Sequence, residues 1–171
     1  CGTLQSVEVS SSFLPKQSFL TYLVKASMQG AASSFSLPVV TDGLLSGILL
    51  SYDSDDQISD VLSVDVISHF LANAKDDTYA GFPSLGVSIS RTEDPSFRKF
   101  LKLSSEQGGL YISTVRTGGA ADLAGIKKGD VLLSAAGFSI DRRGYYQHPH
   151  YGSVFWGHLV RGESAPGDEI T

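Results

Sequence analysis

Between Gly108 and Ile140 the chain reads GGLYISTVRTGGAADLAGIKKGDVLLSAAGFSI, and few folds accommodate that order of strands, breaks and turns. Leu110, Ile112 and Val115 lie near period two among β-branched and aromatic neighbours, which predicts a strand with one buried face. Thr117-Gly118-Gly119 interrupts it. Ala120 to Ala124 are mostly helix formers, and Gly125 suits the left-handed residue that ends a helix. Gly129-Asp130 makes a turn into the apolar run Val131-Leu132-Leu133, and Gly137 marks the next turn. Strand, short capped helix, turn and strand at these offsets predict a compact binding module.

The succession Gly-Leu-Tyr-Ile, then Gly-Gly-Ala-Ala-Asp-Leu-Ala-Gly-Ile-Lys-Lys-Gly-Asp-Val-Leu-Leu, then Gly-Phe-Ser-Ile, resembles the PDZ domains of the HtrA/Deg serine proteases. The resemblance implies a partly open β-barrel with two helices that binds C-terminal or extended peptide segments. In such domains successive backbone N–H groups of one loop point at a peptide's terminal carboxylate, and the following strand pairs with the peptide backbone. The segment Gly81-Phe82-Pro83-Ser84-Leu85-Gly86-Val87-Ser88-Ile89 occupies that place. Ser84, Leu85, Gly86 and Val87 are expected to hold the carboxylate, and Val87, Ser88 and Ile89 to pair with the peptide. Leu85, Val87 and Ile89 are expected to line the pocket for its last side chain. Asp94-Pro95 starts a helical turn carrying Phe97, Phe100 and Leu101. Ser153 to Arg161, with Phe155, Trp156, Leu159 and Val160, is expected to be a helix forming the opposite wall of the groove, ended by Gly162 to Gly167.

Upstream, Val7 and Val9 alternate with polar residues over Gln5 to Ser10, which predicts a half-buried strand. Phe19 to Ala26 is a second. Val39-Val40, the Asp42-Gly43 turn and Gly47 to Leu50 predict a hairpin. A strand through Ile58 and Val61 to Val64 follows, then a helix from Val66 to about Ala74 capped by Asp65. The layout resembles the second β-barrel of a trypsin-like HtrA/Deg protease, giving an expected organisation of half-barrel over 1–74, polar linker over 75–80, and PDZ domain over 81–171 with its last strand truncated. The fold class expected is mainly β with short helices.

The family's nucleophile sits in a Gly-Asn-Ser-Gly-Gly-Pro turn, whose glycines let backbone N–H groups form an oxyanion hole. The matching segment is Gly30 to Pro38, GAASSFSLP. Counting back from Pro38, Phe35 falls at the nucleophile position, and Ser36 and Leu37 replace the two glycines. Ser33, Ser34 and Ser36 reach that position only through a shifted alignment. The family's His and Asp belong to the preceding barrel. This chain is therefore expected to contain no catalytic residues, Ser36 and Ser34 being the candidates to weigh. Three functions remain open: a peptide-binding PDZ module attached to a degenerate protease domain; part of an active serine endopeptidase in protein quality control; or a PDZ domain used structurally to assemble a homo-oligomer. For a bacterial protein of this family the expected compartment is outside the cytoplasm.

Thirteen Lys and Arg against eighteen Asp and Glu give a net charge of -5, which argues against nonspecific binding to nucleic acid or anionic membrane. No apolar run approaches the ~20 residues of a membrane-spanning helix. Cys1 at the first position and Asp168 to Thr171, read as the start of a strand, predict a segment of a longer chain; a lipid-modified mature N-terminus is the other reading of Cys1. His148-Pro149-His150 offers two ligands with no third at local metal spacing and reads as a loop; no metal and no cofactor is expected. His69 and His158 read as ordinary helix histidines. Asp53, Asp55, Asp56 and Asp60 lack the glycine and closing glutamate of a calcium loop and read as a solvated turn.

Overall fold

The computed structural model describes residues 1–10, 18–28, 36–74 and 81–171. It is mainly β with short helices, and its sheets are open rather than closed into a barrel. The chain divides into two compact units, Cys1–Gly81 and Phe82–Thr171.

The first unit is one antiparallel sheet. Strands β1 (Gly2–Ser10), β2 (Phe19–Ala26), β3 (Pro38–Thr41), β4 (Leu44–Asp53) and β5 (Ile58–Ser63) lie in the order β1-β2-β5-β4-β3, followed by helix α1 (Val64–Asn73). The hairpin between β3 and β4 turns on Asp42 and Gly43, both at positive φ (52° and 82°), the backbone a two-residue type I′ hairpin requires. Leu20, Leu49, Val61 and Val66 form the buried core, with Ser59 and Ser63 alternating with Val61 along β5. Gly47 allows β4 and β5 to meet: a Cβ there would lie 2.7 Å from Val61 Cγ1 and closer still to the Leu62 carbonyl.

Three expectations are corrected here. The N-cap of α1 is Ser63, whose hydroxyl accepts the Val66 N–H at 3.4 Å, and Asp65 lies inside the first turn. Val64, read as a strand residue, opens the helix directly after Ser63, the last residue of β5, which pairs with Gly47 and caps α1. The aspartates do not form one turn either. Asp53 Oδ1 accepts the N–H groups of Asp55 and Asp56 at 2.9 and 3.1 Å, an Asx-type turn. Asp60 instead belongs to β5, opposite Leu23, with one carboxylate oxygen buried and without a partner among the described residues.

The second unit begins with β6 (Val87–Ser90) and α2 (Pro95–Phe100), then β7 (Leu110–Val115), α3 (Ala120–Leu123), β8 (Val131–Leu132), β9 (Ser134–Ala135), β10 (Phe138–Ser139), β11 (Tyr145–His148), β12 (Gly152–Phe155) and α4 (Gly157–Arg161). Its main sheet runs β6-β7-β8, all antiparallel, with two-stranded hairpins β9-β10 and β11-β12. Leu110, Ile112, Ala121, Ile140, Tyr146, Val154, Leu159 and Val160 are buried. Asp94 caps α2 by accepting the Phe97 N–H at 2.7 Å, and Phe97 meets Tyr111 edge-on at 5.2 Å. The connection from β6 to β7 is held by Arg98, which is 6% exposed and donates to the carbonyls of Thr92, Ser104 and Gln107. A guanidinium has enough donors in a fixed fork to satisfy all three at once.

The helix expected over Ser153 to Arg161 is half strand. Gly152–Phe155 pairs with Tyr145–His148, and only Gly157–Arg161 is helical. Phe155, Trp156, Leu159 and Val160 mimic a helical face in sequence, but Val154 and Phe155 alternate in burial as strand residues do, and the ladder to β11 outweighs local periodicity.

Candidate functional site

The loop before β6 is anchored by its carbonyls. Leu85 C=O accepts the Ala121 N–H of α3 at 3.0 Å, and Gly86 C=O accepts the Arg116 N–H at 2.8 Å. Gly86 has φ +74°, a left-handed conformation that other residues adopt only with strain, and its own N–H reaches the Ser84 hydroxyl at 3.3 Å. Turning both carbonyls into the domain leaves the opposite side of the loop to N–H groups and side chains.

Strand β6 has β7 as its one strand neighbour among the described residues. Val87 sits opposite Val115. Because the preceding Gly86 carbonyl is bonded across the ladder, alternation directs the N–H and C=O of Val87 to the other, unpaired edge. The register then slips between Ser88 and Ile89. Ser113, the extra residue on β7, donates its hydroxyl to the Ser88 carbonyl at 3.0 Å. Leu85, Val87 and Ile89 are half-buried, whereas Ser84 and Ser88 are exposed. The six residues singled out from sequence thus form one continuous loop and edge strand: an edge that can accept another strand, flanked by apolar side chains on one face.

Short-range bonds make the supporting elements rigid. Asp122 in α3 accepts the Gly118 N–H at 2.8 Å, and Asp130 accepts the Lys127 N–H at 2.8 Å. Gly125, at φ +83°, follows α3 as its composition predicts. Helix α4 is positioned by the β11-β12 hairpin: the His158 ring lies 5.8 Å from that of His148 and 6.3 Å from that of Tyr151. A separate cavity of about 580 Å³ is lined by Glu93, Gln107, Asp141, Arg142, Arg143 and Tyr145 among others, and by none of residues 84–89.

Of the serines weighed as nucleophiles, Ser33 and Ser34 lie outside the described residues, as does Phe35. Ser36 is exposed at φ 72°, with its N–H bonded to the Leu49 carbonyl at 2.9 Å.

The PDZ domain family matches residues 80–143. Protease Do-like 2, chloroplastic, from Arabidopsis thaliana is 32% identical over 83 residues, 48% of this chain and 13% of that protein. The solved structure of the HtrA-type protease AlgW with decapeptide superposes with a TM-score of 0.56 at 18% identity, over 79% of this chain and 42% of the other. The chain carries a PDZ match and is similar to proteases of the HtrA/Deg type. It spans 13% of the length of the plant relative and less than half of AlgW, so it corresponds to a part of each. The PDZ match covers the loop, β6, α2, β7, α3 and the β8–β10 segment.

One grouping was not readable from local spacing. His148 at the end of β11, His158 in α4 and Glu163 beyond it come together, one ligand atom of each lying within 4.8 Å of the others. The His148-Pro149-His150 motif had drawn attention to His150, which is not in the group. The residues that join His148 lie ten and fifteen positions on, where only the strand-helix turn at Trp156 brings them back.

Proposed function

We propose that the HtrA/Deg-type PDZ domain of this chain binds the C-terminal segment of a protein or peptide along the free edge of β6, with Ser84, Leu85, Gly86 and Val87 holding the carboxylate. The reading rests above all on the unpaired edge of β6 beginning at Val87, next to a loop whose carbonyls are turned inward. A peptide strand added there makes main-chain bonds to β6 and places its last side chain against Leu85, Val87 and Ile89. Burying that side chain contributes about 1.5–3 kcal/mol, so affinity is modest. The contact is also far smaller than the ~1,600 Å² of a standard protein interface.

The proposal extends to the first unit. Residues 1–74 are read as a degenerate second barrel half of a trypsin-like domain, joined through 75–80 to the PDZ domain of 81–171, and the chain is read as lacking peptidase activity. In support, the segment before Pro38 puts Phe35 where a nucleophile belongs, and Ser36 has its backbone committed to β4. The active-endopeptidase and oligomer-assembly readings are the competitors.

Fluorescence polarisation with a labelled peptide ending in an apolar residue tests this, run against the same peptide amidated at its C-terminus. Amidation is expected to weaken binding about tenfold or more, and mass spectrometry after prolonged incubation is expected to return the peptide intact. Equal binding of both forms removes the carboxylate site; a cleaved peptide revives the enzyme reading. Substituting Gly86 is a poorer test, because any Cβ at φ +74° strains the loop whether or not a peptide is present.

A further inference from the structure

We propose that Arg116 makes the peptide site selective for segments whose next-to-last residue is glutamate. The inference rests on the proposed docking of a C-terminal segment along β6 and adds to it a preference read on the other face of the sheet. Val87 and Ile89 are half-buried and lie opposite Val115 and Ile112, while Ser88 and Thr114 oppose each other and are both exposed. Successive side chains of a strand point to opposite faces. A peptide whose last side chain lies against Leu85, Val87 and Ile89 therefore presents the side chain before it on the exposed face, beside Ser88.

Arg116 stands at that face. Its N–H donates to the Gly86 carbonyl at 2.8 Å, which extends the β6-β7 ladder by one row beyond Val87 and Val115. A Cβ built on Gly86 would lie 3.4 Å from the Arg116 Cβ, closer than the roughly 4.5–5.5 Å between opposed side chains of an ordinary antiparallel pair. The arginine stem thus covers the bare glycine, and Gly86 puts no side chain between it and the free edge. Sheet spacing sets an added peptide strand about 9.5 Å from β7, a gap that an arginine from one side and a glutamate from the other close above Gly86 and Ser88.

Arg116 is also the one charge that β6, β7 and the anchoring turn supply. Residues 81–90 and 110–115 carry no charged side chain. The next charged residues are Arg91, past the end of β6 remote from the loop, and Asp122 in α3, which accepts the Gly118 N–H at 2.8 Å. Arg116 is exposed and makes no ion pair or side-chain hydrogen bond among the described residues, so its guanidinium is available to a ligand. An exposed pair of this kind adds little affinity but reads the sign of the charge: about two- to fivefold for glutamate over glutamine, with lysine in the same place disfavoured by repulsion.

Fluorescence polarisation of the full chain at low ionic strength tests this with three labelled peptides, alike except that they end in Glu-Leu, Gln-Leu or Lys-Leu, each also prepared with an amidated terminus. The expected order of affinity is Glu over Gln over Lys, about two- to fivefold at each step, shrinking toward equality in 1 M salt, where the screening length falls to about 3 Å. Arg116→Glu is expected to reverse the order. All three peptides carry the same terminal carboxylate, so the ratios between them cancel any effect of Arg116 on that group, and a variant that fails to fold cannot produce a reversal. Arg116→Gln, expected to level the three, serves if the reversed variant binds too weakly to measure. Equal affinities for the three peptides, or ratios that both variants leave as they are, overturn the role of Arg116 while carboxylate-dependent binding stands. Indifference to amidation, or no binding of any peptide, removes the site on which that role depends.

Discussion

Asp60 shows how a single side chain can work against its own sheet. Desolvation by burial raises its carboxyl pKa above the ordinary 3.8; the Thr21 hydroxyl opposes the rise by hydrogen bonding, and repulsion from Glu8 adds to it. With the folded value above the unfolded one, the folded state holds the proton longer. The contribution of Asp60 to stability is therefore most favourable below about pH 3.8 and is lost as pH climbs through the folded value. At neutral pH the charged carboxylate is a net cost, moderated by its partial exposure. Asp60→Asn, which keeps an acceptor for Thr21, is expected to raise the melting temperature of the first unit by a few °C at pH 7 and to have little effect at pH 3. A melting temperature that falls at pH 7 would mean that the charge stabilises the sheet. Nothing in the spacing of Asp53, Asp55, Asp56 and Asp60 announced the division between turn and strand: all four read as solvated acid, and only the pairing of Asp60 with Leu23 separates it.

At the scale of elements, what could be read from sequence is what local backbone demands. The β3-β4 hairpin was readable because Asp-Gly permits the two positive φ values, β2 because eight consecutive residues suit a strand, and α2 because Asp94-Pro95 supplies cap and first turn together. The misread elements are those in which a distant partner decides. Gly152–Phe155 is a strand because β11 pairs with it, and α1 starts early because Ser63, the last residue of β5, doubles as its N-cap. The residues proposed to hold a peptide, Ser84 to Ile89, are contiguous, so a local signal is enough to single them out as candidates; the His148, His158 and Glu163 group depends on a turn at Trp156 and was invisible to any local rule. The reassigned cap has a direct consequence. Ser63→Ala should destabilise the first unit by about 1 kcal/mol in urea unfolding, and Asp65→Ala by only a few tenths through the helix dipole. The reverse order would restore Asp65 as the cap.

For the whole molecule, the chain divides into two compact units, and the proposed peptide site lies wholly within the second. The second unit offers two candidate places for a ligand: the β6 edge, proposed to take backbone and carboxylate, and the polar cavity by Glu93, Asp141 and Arg142, which does not involve residues 84–89. A ligand must choose between them, and the choice can be read residue by residue. The decisive measurement is a titration of the ¹⁵N-labelled chain, followed by amide chemical shifts, with an unlabelled peptide carrying a free carboxylate and an apolar last residue. The account predicts that the largest changes fall on the amides of Leu85, Gly86, Val87, Ser88 and Ile89 and disappear when the peptide is amidated. Changes centred instead on Gln107, Gly108 and residues 139–147, or equal changes with the amidated peptide, would contradict it.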